Sequence, residues 1–148
     1  MKLNSKIRYG LRTMIELAMN MKGKGVFQKE IAERQEISFK YLDQIIAALK
    51  ASGLIENYEG RMSGYRLSRN PERISVYDVY KAFESEMVII DCLKDEGICS
   101  REHRCATKEF WKGLNKLIVD YLESTDLEQL ARKQKQLNKA DTSNMYYI

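Results

Sequence analysis

Proline, cysteine and histidine are all scarce in this 148-residue chain, which contains one proline, three cysteines and one histidine. Helix interiors exclude proline, whereas strand-rich folds use it freely at turns, so the single Pro71 favours a mostly helical protein. An odd number of cysteines, without the apolar block of a secretion signal in residues 1–12, argues against a disulfide framework. No segment approaches the ~20 consecutive apolar residues of a membrane span. We therefore expect a cytoplasmic protein that does not contact the membrane.

Common catalytic motifs are also missing. The sequence has no Walker A motif, no nucleotide-binding glycine fingerprint and no serine-centred elbow. Because His103 is the only histidine, the sequence offers no candidate set for a Ser/His/Asp triad beyond this one residue. We therefore expect that the protein is not an enzyme.

The charge is unevenly distributed along a chain of ordinary globular composition. The sequence is 44% hydrophobic and 31% charged, and its length suits one domain with a sizeable core. Residues 1–70 hold thirteen Lys plus Arg against seven Asp plus Glu, a net charge of +6, whereas residues 71–148 have a net charge of −2. This asymmetry suggests that the first half binds a polyanion.

Helical periodicity dominates the first fifty residues. Apolar residues recur at helical spacing from Asn4 to Met21, and a short helix over 28–35 is followed by a longer one that Ser38 caps and that ends near Ser52. A short helix, a tight turn and a longer helix form a helix-turn-helix. The outer face of the longer helix carries small or polar side chains that can meet base edges, although a merely solvated face is the alternative. The candidate DNA-reading residues are Ser38, Lys40, Asp43 and Gln44.

Two short strand-like runs, 54–58 and 65–67, flank the glycine-bracketed loop 60–64 and predict a β-hairpin. A hairpin directly after a recognition helix is the wing of a winged helix, with an ordinary surface hairpin as the alternative. Arg61 at its tip is suited to a minor groove or a phosphate. On the first helix, we expect Lys6 and Arg12 to contact phosphates.

The second half divides at a loop without helical periodicity. A capping box at Ser75 opens a helix to about Phe83, and helical period returns from Thr107 with a wide apolar stripe. A second capping box at Thr125–Glu128 predicts a shorter helix to about Leu137, followed by a polar tail. We expect a DNA-binding region at 1–83 and a cysteine-bearing loop at 84–106. Dimerisation helices at 107–137 and a tail at 138–148 should follow. The stripe predicts a homodimer interface that includes Phe110, Leu114, Leu117, Ile118 and Tyr121.

The loop holds all three cysteines, Cys92, Cys99 and Cys105. Paired zinc ligands usually lie two to four residues apart, so this wider, even spacing suits zinc poorly. It suits an iron–sulfur cluster better, because a cluster takes thiolates from around a larger volume. A thiol redox sensor, a zinc site and three inert thiols are the alternatives. Three thiolates leave a site for another ligand, for which His103 is the leading candidate beside Glu102, Asp91, water or a small thiol.

Together these residues resemble the bacterial Rrf2 family of winged-helix regulators, over nearly the whole chain. The resemblance lies in the opening residues 1–10, the recognition-helix sequence 37–44, the wing at 60–65 and three cysteines before an aromatic-bearing helix at Trp111. It implies a mostly α fold, with a winged helix-turn-helix DNA-binding domain, a β-hairpin wing and a long C-terminal dimerisation helix. It also implies a homodimer on double-stranded operator DNA, with a cluster next to the interface controlling operator affinity.

Departures from the family leave the ligand set open. In the IscR branch a histidine three residues after the last cysteine completes the set, and here that position is Lys108. In the NsrR branch an acidic residue near the N-terminus does so, and here the matching residue is Arg8. Cluster nuclearity therefore stays open between two and four irons, with 2Fe–2S slightly favoured.

The apolar end of the chain and the segment around Tyr9-Gly10 resemble the CymR branch. This resemblance supports an alternative function, a CymR-like repressor of cysteine or sulfur metabolism controlled by a regulatory partner protein or by thiol oxidation. A cluster carrier is a further alternative, although a carrier would not need the basic helix and wing. Redox catalysis by the cluster is the only enzymatic option.

Overall fold

The computed structural model describes residues 2–60 and 63–145. Its described part is mostly helical, with one two-stranded antiparallel hairpin, which confirms the predicted fold class. The helices are α1 (Ser5–Met19), α2 (Gln28–Gln35), α3 (Phe39–Ala51), α4 (Val76–Lys81), α5 (Ala106–Ser124) and α6 (Leu127–Met145). The strands are β1 (Ile55–Asn57) and β2 (Tyr65–Leu67).

Side-chain caps set the beginnings of three helices. The Asn4 Oδ1 accepts a hydrogen bond from the Ile7 N–H (3.0 Å) at the start of α1. The Ser38 Oγ accepts one from the Tyr41 N–H (3.2 Å) at the start of α3, as its sequence position predicts. Ser75 forms the predicted capping box of α4, whose two bonds are both 3.0 Å long.

The main core lies between α1, α3, the hairpin and the first two turns of α6. The α3 helix contributes four buried side chains, and α6 contributes Leu127 and Ala131. In the turn between α2 and α3, Ile37 is buried, as predicted. The fully buried large side chains of this core include Met14, Leu17, Ile31, Leu42, Ile45, Leu49, Ile74 and Leu127.

The wing is held against the segment that follows α1. Val26 and Tyr65 exchange two backbone hydrogen bonds of 2.8 Å each, which extend the β1–β2 pairing by one bridge. Gly25 and Gly64 allow this approach, because a Cβ on Gly64 would lie 2.8 Å from the carbonyl carbon of Gly25. The base of the wing is therefore rigidly attached to the helical body.

Helix α6 corrects two sequence-based expectations. It continues through Met145, eight residues beyond the predicted end at Leu137, and no proline or glycine between these positions ends it. The Thr125 hydroxyl bonds back to the Tyr121 carbonyl (3.1 Å), and the Asp126 Oδ1 instead accepts the Gln129 N–H (2.9 Å). The predicted box at Thr125–Glu128 is thus replaced by an Asp126 cap.

A short backbone pairing joins the start of α6 to the winged-helix body. The Val76 N–H donates to the Thr125 carbonyl (2.9 Å), and the Leu127 N–H donates to the Ile74 carbonyl (3.0 Å). These bonds attach the α5–α6 junction to the segment before α4. The first helix also differs slightly from expectation, since α1 ends at Met19 and leaves the predicted last residue, Met21, exposed.

Candidate DNA interface and cysteine loop

The predicted reading face of α3 points to solvent. Lys40, Asp43 and Gln44 are exposed, opposite the buried stripe that packs into the core. Ser38 is also exposed, and its hydroxyl is occupied as the helix cap. The structure therefore brings these four predicted residues onto one accessible part of α3.

Gln28 of α2 orients this face, a role that sequence reasoning missed. Its Nε2 donates a hydrogen bond to the Asp43 carboxylate and another, 3.4 Å long, to the Phe39 carbonyl. Fifteen residues separate Gln28 from Asp43, and no local sequence pattern links them. The bonds fix the carboxylate of Asp43 before any ligand arrives.

The N-terminal end of α1 lies beside the recognition helix. The Ser5 and Tyr41 hydroxyls are 2.8 Å apart, which places the exposed Lys6 near the start of α3. Arg12, one and a half turns further, donates to the Gln35 side chain (3.0 Å) and to the Gln35 carbonyl. A guanidinium has five N–H donors, so these bonds leave others for the phosphate contact predicted for Arg12.

The wing tip predicted to enter a groove, Arg61, lies outside the described residues. At the base of the wing, the Lys50 Nζ of α3 donates to the Asn57 Oδ1 of β1 (2.9 Å). Across the hairpin, Arg66 pairs with Glu56 at 2.8 Å. The wing is thus tied to the recognition helix by a polar contact as well as by the core.

The three cysteines are free thiols spread along the loop between α4 and α5. Cys92 is half-buried in a short 3₁₀ turn, Cys99 is exposed, and the half-buried Cys105 immediately precedes α5. Over residues 2–60 and 63–145, no three His, Cys, Asp or Glu side chains converge as a metal site. The donor chemistry fits an iron–sulfur cluster for three ligands, and gathering them requires the loop to rearrange.

The Cys105 thiol is hydrogen-bonded at the start of α5. Its Sγ lies 3.2 Å from the Thr107 hydroxyl at the N-terminal end of α5. This hydrogen bond, together with those from the Lys108 and Thr107 N–H groups, lowers the pKa of the Cys105 thiol. A lower pKa favours the thiolate, which is the form that binds metals and attacks disulfides.

The two nearby ligand candidates differ sharply in their surroundings. The imidazole of His103 is 91% exposed, whereas the Glu102 side chain is only 10% exposed. The Glu102 Oε2 accepts the Gly97 N–H (2.7 Å) and lies 3.4 Å from the Lys108 Nζ. Lys108, which occupies the ligand position of the IscR branch, therefore pairs with Glu102 and fastens the loop to α5.

Helix α5 presents two different faces. On one, the Asn115 side chain accepts the Ile89 N–H and donates to the Met87 carbonyl, each at 2.9 Å, and Ile118 packs on the chain's own Ile7–Tyr80–Met87 cluster. The structure therefore separates Ile118 from the other predicted interface residues. Those others, which are exposed, are Phe110, Leu114, Leu117 and Tyr121.

The recognition helix, its wing and the flanking basic residues define a winged helix-turn-helix transcriptional regulator. The family model for Rrf2, the iron-dependent transcriptional regulators, matches residues 3–133. The chain belongs to the Rrf2 family, as the sequence resemblance predicted. Because the matched relatives are transcriptional regulators, the expectation that the protein is not an enzyme is confirmed.

Two branches of the family are similarly close to this chain. The HTH-type transcriptional regulator IscR of Xenorhabdus nematophila is 36% identical over 141 residues, covering 95% of this chain and 85% of its own. The structure of T. potens IscR has a TM-score of 0.74 at 31% identity, covering 93% of this chain and 90% of its own. CymR, the global cysteine regulator of B. subtilis, also has a TM-score of 0.74, at 32% identity and with coverages of 89% and 97%.

The described residues contain no helix that is long and apolar enough to cross a bilayer.

Proposed function

We propose that this protein binds operator DNA as a homodimer and that an iron–sulfur cluster held by Cys92, Cys99 and Cys105 controls its operator affinity. The observation that carries this proposal is the position of the cysteine loop, which joins α4 of the winged-helix body to the exposed helix α5. A loop in this position can alter both the DNA-binding half and the dimer contact.

DNA reading rests on the exposed face of α3. Gln44 can pair with adenine, Lys40 with guanine or a phosphate, and Asp43 can accept from cytosine. Lys6, beside the start of α3, is assigned to the phosphate backbone. The Gln44→Ala variant should lose ~1–3 kcal/mol of discrimination at one base position. Unchanged discrimination by Gln44→Ala would remove this residue from the reading set.

Dimerisation rests on the outer face of α5. Phe110, Leu114, Leu117 and Tyr121 follow the alternating four- and three-residue spacing of a coiled-coil seam, and all four are exposed in the single chain. A second copy of the same helix would bury them around a two-fold axis. The two recognition helices would then meet successive major grooves, roughly 34–36 Å apart.

Coupling between the loop and the DNA-binding half rests on contacts at both ends of α4. Helix α4 contacts α1 and α5, and the residues just after it touch α1 directly. The Asn4 Nδ2 donates to the Glu84 Oε1 (2.8 Å), and Gly10 leaves space for the Phe83 ring, which would lie 2.4 Å from an added Cβ. Because Ser5 also contacts Tyr41 of α3, loop movement can reach the recognition helix.

The three thiolates are the protein ligands that we assign to the cluster. When bound, the cluster would supply a sensor that responds to iron supply or to oxidants. His103 and Glu102 are candidate additional ligands, and Glu102 would first have to leave its contacts with Gly97 and Lys108. A 2Fe–2S cluster is slightly favoured over a 4Fe–4S cluster.

The decisive experiment combines anaerobic purification, an absorption spectrum, and iron and sulfide analysis with operator titration. The wild-type protein should absorb visible light, and each single Cys→Ala variant should lose this absorption. Operator affinity should differ 5- to 150-fold between cluster-loaded and cluster-free protein. His103→Ala should abolish the absorption only if the imidazole is a ligand. Protein that reconstitutes with zinc but not with iron and sulfide would contradict the cluster.

A second candidate function is a CymR-like repressor controlled by thiol oxidation or by a partner protein. The half-buried Cys105, polarised by Thr107, and the exposed Cys99 favour it, together with the likeness to CymR. If thiol oxidation is the signal, a triple Cys→Ala variant should lose the response to oxidation. If a partner protein is the signal, the same variant should keep its regulation. In both cases the protein binds no iron. Operator titration of iron-free protein before and after mild oxidation distinguishes the two functions, because a thiol sensor responds without iron whereas a cluster sensor requires it.

A further inference from the structure

Two phenylalanines are unusually exposed at the N-terminal ends of the helix-turn-helix. Phe27 occupies the position just before α2, Phe39 is the first residue of α3, and each is 53% exposed. The large aliphatic side chains of α3, by contrast, are fully or almost fully buried. They are Leu42, Ile45, Ile46 and Leu49. Phe39 is therefore the large apolar side chain that α3 offers to a ligand.

The position of Phe39 places it among the groups that enter a groove. A recognition helix contacts base edges with its N-terminal residues, and Phe39 stands between the cap Ser38 and the candidate reader Lys40. It precedes Asp43 by one turn, so the two side chains share a flank of the helix. The Gln28 side chain bonds to the Phe39 carbonyl and to the Asp43 carboxylate, which holds this flank in place.

We propose that Phe39 recognises the 5-methyl group of a thymine in the major groove of the operator. This proposal rests on the proposed function, since it deepens the DNA-reading role of α3. The thymine methyl is the apolar group that bases present in the major groove, and a phenyl ring is suited to contact it. Lys40, Asp43 and Gln44 read donors and acceptors, so Phe39 adds a kind of recognition that these polar residues cannot supply.

The test removes the methyl group and the ring separately. Operator duplexes are first selected from a random-sequence pool with wild-type protein, and each thymine is then replaced singly by deoxyuridine. We expect one position per half-site where the replacement weakens wild-type binding about fourfold, the equivalent of ~0.8 kcal/mol for burying one methyl-sized group. In Phe39→Ala, thymine and deoxyuridine at that position should bind equally. Phe39→Leu, which keeps an apolar side chain, should retain part of the preference.

Phe27→Ala is the matched control, because Phe27 has the same exposure but lies at the start of α2. It should keep the full fourfold preference, and thermal unfolding should show that both alanine variants remain folded. A wild-type preference that survives unchanged in Phe39→Ala would overturn the proposal, as would equal binding of thymine and deoxyuridine at every position. If the wild-type protein selects no sequence from the pool, the proposed DNA function itself fails as well.

Discussion

The recognition helix α3 and the long helix α5 are both amphipathic, and they treat their apolar side chains in opposite ways. Helix α3 buries Leu42, Ile45, Ile46 and Leu49 in the chain's own core. Helix α5 is six residues longer and has no buried residue, with Leu117 68% exposed and Tyr121 73% exposed. The comparison teaches that the winged-helix body is complete within one chain, whereas α5 carries an apolar surface that no described part of the chain covers.

Helix α6 sharpens this contrast because it follows α5 yet belongs with the winged-helix body. Leu127 is fully buried in the same core as Met14 and Ile74. The far end of α6 behaves differently, since Leu137 is exposed. The body and the α5 helix are therefore interleaved along the chain.

The largest effect is expected from Leu127→Ala, which tests whether α6 is part of the body. Removing this buried side chain leaves a cavity in the main core, and we expect it to lower the free energy of unfolding by ~2–5 kcal/mol. Leu137→Ala on the same helix is the control and should change it by less than ~0.5 kcal/mol. Denaturant unfolding measures both, and equal effects of the two variants would place α6 outside the body.

Leu117→Glu tests the other side of the comparison. A charge in the centre of the proposed seam should give monomers, and losing the second recognition helix should weaken operator binding about 100-fold or more. Lys112→Glu, also exposed on α5 but outside the seam, should leave the dimer intact. Sedimentation and operator titration measure the two consequences. An unchanged dimer in Leu117→Glu would mean that α5 is not the interface.

Asn115→Ala tests the inner face of α5. The amide satisfies the Ile89 N–H and the Met87 carbonyl, so its removal leaves both without this partner, at a cost of ~1–3 kcal/mol. We expect faster hydrogen exchange at the Ile89 amide and lower stability, with the dimer retained. Lys116→Ala, at the next and exposed position, should leave the exchange rate unchanged.

The smallest effect is expected from Glu84→Ala, which removes one link between the two regions. The Asn4 cap of α1 remains, but the hydrogen bond from Asn4 to the loop is lost. The difference in operator affinity between cluster-loaded and cluster-free protein should shrink by ~0.5–2 kcal/mol. Stability should hardly change, and the exposed Glu86→Ala serves as control. A coupling as large as that of the wild type would exclude this route.

Local sequence patterns predicted most of the helix-turn-helix. The Ser38 cap, the Ser75 capping box and the buried Ile37 are all observed, because each depends on residues within a few positions of one another. The Thr125–Glu128 box was wrong because the Thr125 hydroxyl bonds back to the Tyr121 carbonyl, and α6 begins one residue later with Asp126 as its cap. Local sequence rules do not include the backbone pairing of Ile74 and Val76 with the α5–α6 junction, because the paired residues are distant in the sequence.

The candidate site also combines features that the sequence predicted with contacts that only the structure shows. The exposed face of α3 was predictable from its helical period, whereas the cluster inferred from the cysteine spacing stays a prediction, because no three metal-ligating side chains converge in the described residues. Further contacts were not predictable, since Gln28 meets Asp43 across fifteen residues and Asn4 meets Glu84 across eighty. Ile118 belongs to the apolar stripe by period, but only the position of the Ile7–Tyr80–Met87 cluster turns it inward.

By itself, the sequence determined the helical class, the recognition helix, the wing and the loop that carries the thiols. These features depend on periodicity, caps and residue chemistry, which act over a few residues. The tertiary structure decided which apolar face each helix buries, because burial depends on the surfaces that neighbouring elements supply. It brought α6 back to the core through the pairing of Ile74 and Val76 with the α5–α6 junction, and it left the seam of α5 uncovered.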